Sequence, residues 1–151
     1  MDVSSILAAC QTHAMTTGLF DAGVNGHAPR NAPAQGVSCS IWPEDLGPAT
    51  SASGLNKTTA LLLMTVMIYT GTQAQPYDAI ESSILSAADG LFAAYSAAFT
   101  LDGLVRNVDL LGQFGTPLRG SAGYVTFADG GFRVWTITLP LVLNDAWPQV
   151  A

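Results

Sequence analysis

Basic residues are scarce in this chain of 151. There are five, Arg30, Lys57, Arg106, Arg119 and Arg133, against 11 acidic residues, for a net charge of -6. Nucleic-acid binding rests on Lys and Arg neutralising several phosphates at once. These five are scattered and form no stripe, which argues against direct DNA binding. Charge of either sign is thin: 11% of residues, where roughly a quarter is usual. Cysteine is limited to Cys10 and Cys39, too few for a disulfide framework or a thiolate zinc site. Both lie in apolar segments and read as buried thiols. No apolar run approaches the roughly 18 residues needed to cross a bilayer as a helix. The opening MDVSSILAACQTHAM lacks the basic stretch of a secretory signal. The expectation is a soluble chain made in a reducing cytoplasm.

Catalytic signatures are missing as well. The chain has no G-x-S-x-G elbow, no phosphate-binding G-x-x-x-x-G-K-[ST] loop, no H-E-x-x-H and no EF-hand loop. GQFGTPLRG carries glycines at the wrong spacing for a dinucleotide fingerprint and follows no βα unit. Asp102 and Asp109 show no partner carboxylate. Asp129 sits in a turn, where Asp is favoured for backbone reasons. His13 reads as a helix-boundary residue, and His27 lies in a loop without a nucleophile motif. A metal site would need His13, His27, Cys10 and Cys39 to converge from four isolated positions. The reading is no enzyme, no cofactor and no metal.

Apolar residues are what the chain does have: 49% of it, with a mean hydropathy of +0.34. A single domain of this length does not need so much for its own core. Two explanations stand side by side: an Ala-rich composition, or a subunit that buries surface against copies of itself or other proteins.

The periodicities give an element order. Residues 2–18 read as a helix, with Val3, Ile6, Leu7, Cys10, Ala14 and Thr17 at helical spacing, Asp2 as cap and Gly18 as stop. Residues 21–35 form a Gly/Pro/Asn-rich loop. Residues 36–43 (GVSCSIWP) alternate as a half-buried strand. Residues 44–54 make a long hairpin tip leading to LNKTTALLLMTVMIYT at 55–70. Pro76 opens a second helix. Its stripe is Tyr77, Ile80, Ile84, Ala88, Leu91, Tyr95 and Phe99, and its other face is Ser and Ala. Strands follow at 104–111, 123–128 and 131–144, the last two joined by a DGG turn. Pro140 predicts an edge or a bulge in the last strand.

The expected fold is α+β: one domain over 1–151, two helices packed on an antiparallel β-sheet, order α-β-β-α-β-β-β. One feature strains a two-layer arrangement. The strand at 55–70 is apolar nearly throughout, not alternating, so both its faces need cover. Helices cover one face; a neighbouring subunit, or a sheet curled on itself, covers the other.

Five stretches follow one another in a telling order: TTGLFDAGVNGHAPRNAPAQG, SGLNKTTALLLMTVMIYT, QPYDAIESSILSAADGLFAAYSAAFTLDG, VRNVDLLGQFG and RVWTITLPLVLND. As a collinear set spanning nearly the whole chain, they resemble the tail terminator (tail completion) proteins of long-tailed, siphovirus-type phages and prophages of actinobacteria. No single stretch is diagnostic. The resemblance implies a fold related to tail-tube subunits and a homo-hexameric ring on the head-proximal end of the tube. Such a ring stops tube polymerisation and joins the tail to the head-completion (stopper) proteins, and DNA passes through its lumen without specific binding. It further implies a virion location at the head–tail junction, with assembly in the host cytoplasm, and no catalytic residue or cofactor. The loops at 44–54 and 112–122 are then candidate contact or lumen loops. Candidate interface residues are Leu46, Phe114 and the cations Lys57, Arg106, Arg119 and Arg133, arginine being favoured at interfaces for its planar fork. Two alternatives stand: a joining protein on the head side of the connector, and a small-ligand-binding domain with a pocket lined by Trp42, Tyr95 and Trp135.

Overall fold

Two long strands organise the chain. In the computed structural model, which describes residues 1–30, 36–50, 57–72, 77–97, 99–127 and 130–148, strand β3 (Lys57–Gly71) pairs antiparallel with β6 (Gly130–Pro148) along its whole length. On the far side of β3 lies β2 (Ser38–Pro48), also antiparallel. A two-residue strand, β1 (Val24–Asn25), adds to β2 in parallel at Cys39 and Ser40. The other edge of β6 is shared by β4 (Asn107–Val108) and β5 (Arg119–Phe127). The sheet is therefore mixed and six-stranded, in the order β1-β2-β3-β6-β4 with β5 on β6. Helix α1 spans Val3–Thr16; a 3-10 turn at Tyr77–Ala79 leads into α2, Ile80–Ser96.

The α+β expectation with two helices holds, and its details shift. The short parallel β1 interrupts what reads as a pure loop at 21–35. β2 runs on to Pro48, five residues into the expected hairpin tip. Residues 51–54 of that tip lie outside the described residues. So do Pro76, proposed to open the second helix, and Asp129 of the DGG turn, although Phe127 pairs with Gly130 as a hairpin there requires. The strand expected at 104–111 shrinks to Asn107–Val108. Its alternation is real, but residues 101–106 turn instead, with Leu101, Asp102 and Gly103 all at positive φ (50°, 56° and 88°). Left-handed residues belong to turns, and the turn they begin runs on through residues 104–106, the first three of the expected strand. β5 begins four residues before its expected start, inside the loop expected at 112–122.

Local chemistry explains the element ends. Asp2 caps α1, its carboxylate accepting from the Ser5 N–H (3.1 Å) and hydroxyl (2.6 Å), and Gly18 follows the last turn at φ +70°. Asp21 reaches across to accept the Val37 N–H at 2.7 Å. A Cβ on Gly36 (φ +82°) would collide with that carboxylate at 2.5 Å, so glycine is required there twice over. Pro140 is not at an outer edge. Its carbonyl accepts from the Asp109 N–H (3.0 Å), so its missing donor faces the same side. β5 begins opposite Thr138 and β4 ends opposite Leu141. The proline falls in the gap, where no ladder bond is lost.

Period-two alternation sorts the core. Ala60, Leu62, Met64, Val66 and Ile68 of β3 share one face with Ile137, Leu139, Leu141 and Leu143 of β6 and Cys39 and Ile41 of β2. Ile6, Cys10 and Ala14 of α1 and Ile84, Ala87, Ala88, Leu91 and Tyr95 of α2 pack into the same cluster. Both helices therefore lie on one face, as the layer rule predicts. Phe99, expected on the second helix, is buried just beyond its end. Burial pushes the Cys10 thiol up to about 12 and the Cys39 thiol higher still, the behaviour of inert core thiols.

Leu139 is fully buried at the centre of this cluster, opposite Met64. Leu139→Ala is expected to cost about 2–5 kcal/mol, the range for cavity-forming leucine deletions. Urea unfolding checks it: the midpoint should fall with an unchanged slope.

Candidate functional site

The face of the sheet away from the helices is where the chain departs from a plain two-layer domain. Leu61, Leu63, Thr65, Met67 and Tyr69 of β3 point there. So do Phe132, Val134, Thr136, Thr138 and Val142 of β6, and Ser40 and Trp42 of β2. The chain itself covers both ends of this face. At one end Phe114 and Ala49 close over Leu61 and Val142. At the other, Tyr69, Phe132 and Val134 pack with Met67 and Val125, and the Tyr69 hydroxyl meets Ser40 and Asn25 at 3.3 Å. The fully missing second cover expected from sequence is thus corrected. What is left half-buried is a middle strip: Trp42, Leu63, Thr65, Met67, Thr136 and Thr138.

The cover over Leu61 is a built loop. Asp109 is buried, 3% exposed. Its two carboxylate oxygens accept the backbone N–H groups of Gln113 (2.9 Å) and Phe114 (2.8 Å). Its own carbonyl accepts from Leu118, and the Phe114 carbonyl accepts from Thr50 (2.9 Å). A buried carboxylate is tolerated only when hydrogen-bonded in this way. From sequence Asp109 reads as an unpartnered acid; its role is to fold residues 109–118 back over the sheet. The loop so held presents Leu111, 85% exposed, with Leu110 beside it at 40%. Leu111 was not among the sequence candidates, because alternation in LVRNVDLL assigns it to a strand.

The candidate interface residues do not all converge: Arg106 and Phe114 meet, with Arg119 at the end of the same loop, and the others lie elsewhere. Leu46 lies in β2 and is 40% exposed. It lines a cleft of about 210 Å³ with Val3, Pro43, Glu44, Asp45 and Leu62. Phe114 is half-buried on its own sheet, with the Arg106 guanidinium carbon 5.5 Å from its ring centroid. Arg106 is exposed and its Nη1 reaches Asn144 Oδ1 at 3.4 Å. Arg119 is exposed at the start of β5. Lys57 opens β3, opposite Pro148; its side chain lies outside the described residues. Arg133 is engaged within the chain. It binds both Glu81 oxygens (2.9 and 3.2 Å) and the Gly123 carbonyl, and stacks over Tyr124 at 4.4 Å. The Glu81 hydrogen bonds raise its pKa further.

The three aromatics of the ligand-pocket alternative are also separated. Tyr95 is buried among the helices, and Trp135 packs on the helix side, where a Cβ on Gly120 would meet its Nε1 at 2.6 Å. Trp42 pairs with Thr65 on the opposite face and donates to Glu44 at 2.9 Å. A cleft of about 490 Å³ does exist between the helix ends, lined by His13, Phe99 and Asp102 among others. His13 stacks on Tyr95 (5.7 Å) and meets Phe99 edge-on (4.7 Å). Its Nδ1 is buried without a hydrogen-bond partner, and burial lowers its pKa. His27 is distant in sequence and exposed, its Nδ1 against the Ala28 carbonyl. Among the described residues no three His, Cys, Asp or Glu side chains gather to hold a metal, and no helix is long and apolar enough to cross a membrane.

No family model matches the chain, and no curated protein is significantly similar to it.

Two outcomes follow from this geometry. Asp109→Ala strands two backbone donors, at about 1–3 kcal/mol each, and should lower the melting temperature by several degrees; Asp109→Asn, keeping one acceptor, should lose roughly half as much. For His13 the folded pKa lies below the unfolded value of 6.5. Its contribution is therefore full above pH 6.5 and is lost as pH falls through the lower folded value. His13→Gln should flatten that acid limb in a pH series of urea midpoints.

Proposed function

We propose that the chain is a structural tail terminator of a siphovirus-type phage or prophage. It acts as a homo-hexameric ring, without catalysis or cofactor, on the head-proximal end of the tail tube. The mechanism is steric: the ring docks on the last tube subunits, offers no edge for the next, and presents its other side to the head-completion protein. The observation that carries this reading is the half-covered strip on the second sheet face, in an otherwise well-packed domain. Scattered apolar surface residues are ordinary, but a contiguous strip on a sheet calls for a partner. The collinear resemblance in sequence points the same way, and so does the α+β form with both helices on one face. The net charge of -6 suits a lumen that DNA crosses without sticking, since like charges repel. On this reading the fold is related to that of tail-tube subunits, and the protein sits at the head–tail junction of the virion.

The head-side joining protein is the alternative within the same class. The ligand-binding alternative loses its pocket, because Trp42 is on the wrong face.

Tube assembly decides it. Polymerising the cognate tube protein with this chain should give shorter tubes bearing a ring at one end in electron micrographs. Bare tubes of unchanged length would sink the terminator reading and favour the head-side one.

A further inference from the structure

The two edges of the sheet carry features that match each other. Leu46 pairs with Leu62, Leu62 with Leu141, and Leu141 with Val108. One cross-strand row thus runs from edge to edge, about 14 Å at ordinary strand spacing. At the β2 end of the row is the apolar cleft of Val3, Pro43, Leu46 and Leu62, rimmed by Glu44 and Asp45. Among the described residues nothing pairs with the outer edge of β2 beyond Ser40. At the other end, one residue past Val108, begins the loop held by Asp109 with Leu111 at its tip. That loop is flanked by two exposed arginines, Arg106 and Arg119.

We propose that Leu111 of one copy seats in the Leu46 cleft of a second copy, with Arg106 and Arg119 facing the second copy's Glu44 and Asp45. Size agrees: a cavity of about 150 Å³ holds a benzene molecule, and the cleft of about 210 Å³ admits the smaller leucine side chain. Charge agrees too. The chain has few cations, and two of them flank the protrusion, while two acidic residues line the recess, Asp45 and Glu44, the latter also accepting from Trp42 and Thr65. Complementary charge of this kind fixes register and orientation more than it adds affinity. Rigidity favours the loop as an anchor, because Asp109 pre-organises it and little entropy is lost on docking. Protrusion and recess are different surfaces of one copy, the first on the loop beyond Val108 and the second beside β2. The contact is therefore head-to-tail, leaving a free protrusion and a free recess on every pair, and its repetition closes into a ring when the rotation allows. The contact rests on these surfaces; only its closure into six rests on the terminator reading.

Disulfide trapping tests it. Leu46→Cys and Leu111→Cys alter exposed positions. Mixed under oxidised glutathione, the two variants should cross-link to a heterodimer at least about ten-fold faster than either does with Met15→Cys, because docking raises the local thiol concentration. Met15 is exposed near the C-terminal end of α1, the opposite end from Val3 of the cleft. Arg106→Glu in the Leu111→Cys copy should slow the reaction, and Asp45→Arg in the other copy should restore it. Rates equal to the Met15→Cys control, or no response to charge reversal, overturn the contact. Capped tubes with control-level trapping would remove this contact alone; fast trapping with bare tube ends would remove the terminator reading alone.

Discussion

β3 is hydrogen-bonded on both sides, to β2 and to β6, and its side chains alternate between two faces that are both apolar. Every other part of the structure answers to that condition. A strand with Leu62, Met64, Val66 and Ile68 on one face and Leu61, Leu63, Met67 and Tyr69 on the other cannot leave either face in water without a large penalty, about 25 cal/mol for each Å² of apolar surface left wet. The helices meet the first half of the condition by laying Ile6, Cys10 and Ala14, and Ile84, Ala88 and Leu91, on the same side.

The second half is met by irregular chain, which brings polar backbone against an apolar face. That is tolerable only if each buried polar group has a partner. Asp109 is the means by which the loop achieves it, taking two N–H groups on one carboxylate while its carbonyl and amide are also paired. The helix side is less tidy. Tyr95 Oη, Trp135 Nε1 and His13 Nδ1 are buried without partners in the protein, and each lowers the net gain from burying its ring. The aromatic stacking of His13 on Tyr95 and Phe99 offsets part of that.

Cover by a loop is local, and this explains why the second face is closed at its ends and half-open between them. The strip from Trp42 to Thr138 mixes threonine with Leu63 and Met67, a composition that survives in water yet gains from a partner. The same economy shows at the edges. Pro43 and Pro48 within β2 discourage indiscriminate strand pairing.

Periodicity by itself determined the helices, the long strands, the side of each helix that is buried, and the need for cover on both faces of residues 55–70. These are local consequences of 3.6- and 2-residue repeats, so they are legible without coordinates. Where strands end was less legible. Residues 104–111 alternate convincingly, but the turn that begins at the left-handed residues 101–103 runs on through 106 and leaves only Asn107 and Val108 paired. The placement of Leu46 at one end of a cross-strand row, and of Leu111 on the loop beyond its other end, was not legible at all, and neither was the separation of Trp42 from Tyr95 and Trp135. Register, strand order and loop direction are fixed by contacts between residues far apart in the chain, such as Asp109 with Pro140, and Leu62 with Leu141. No local pattern encodes such contacts, and only the tertiary structure decided them.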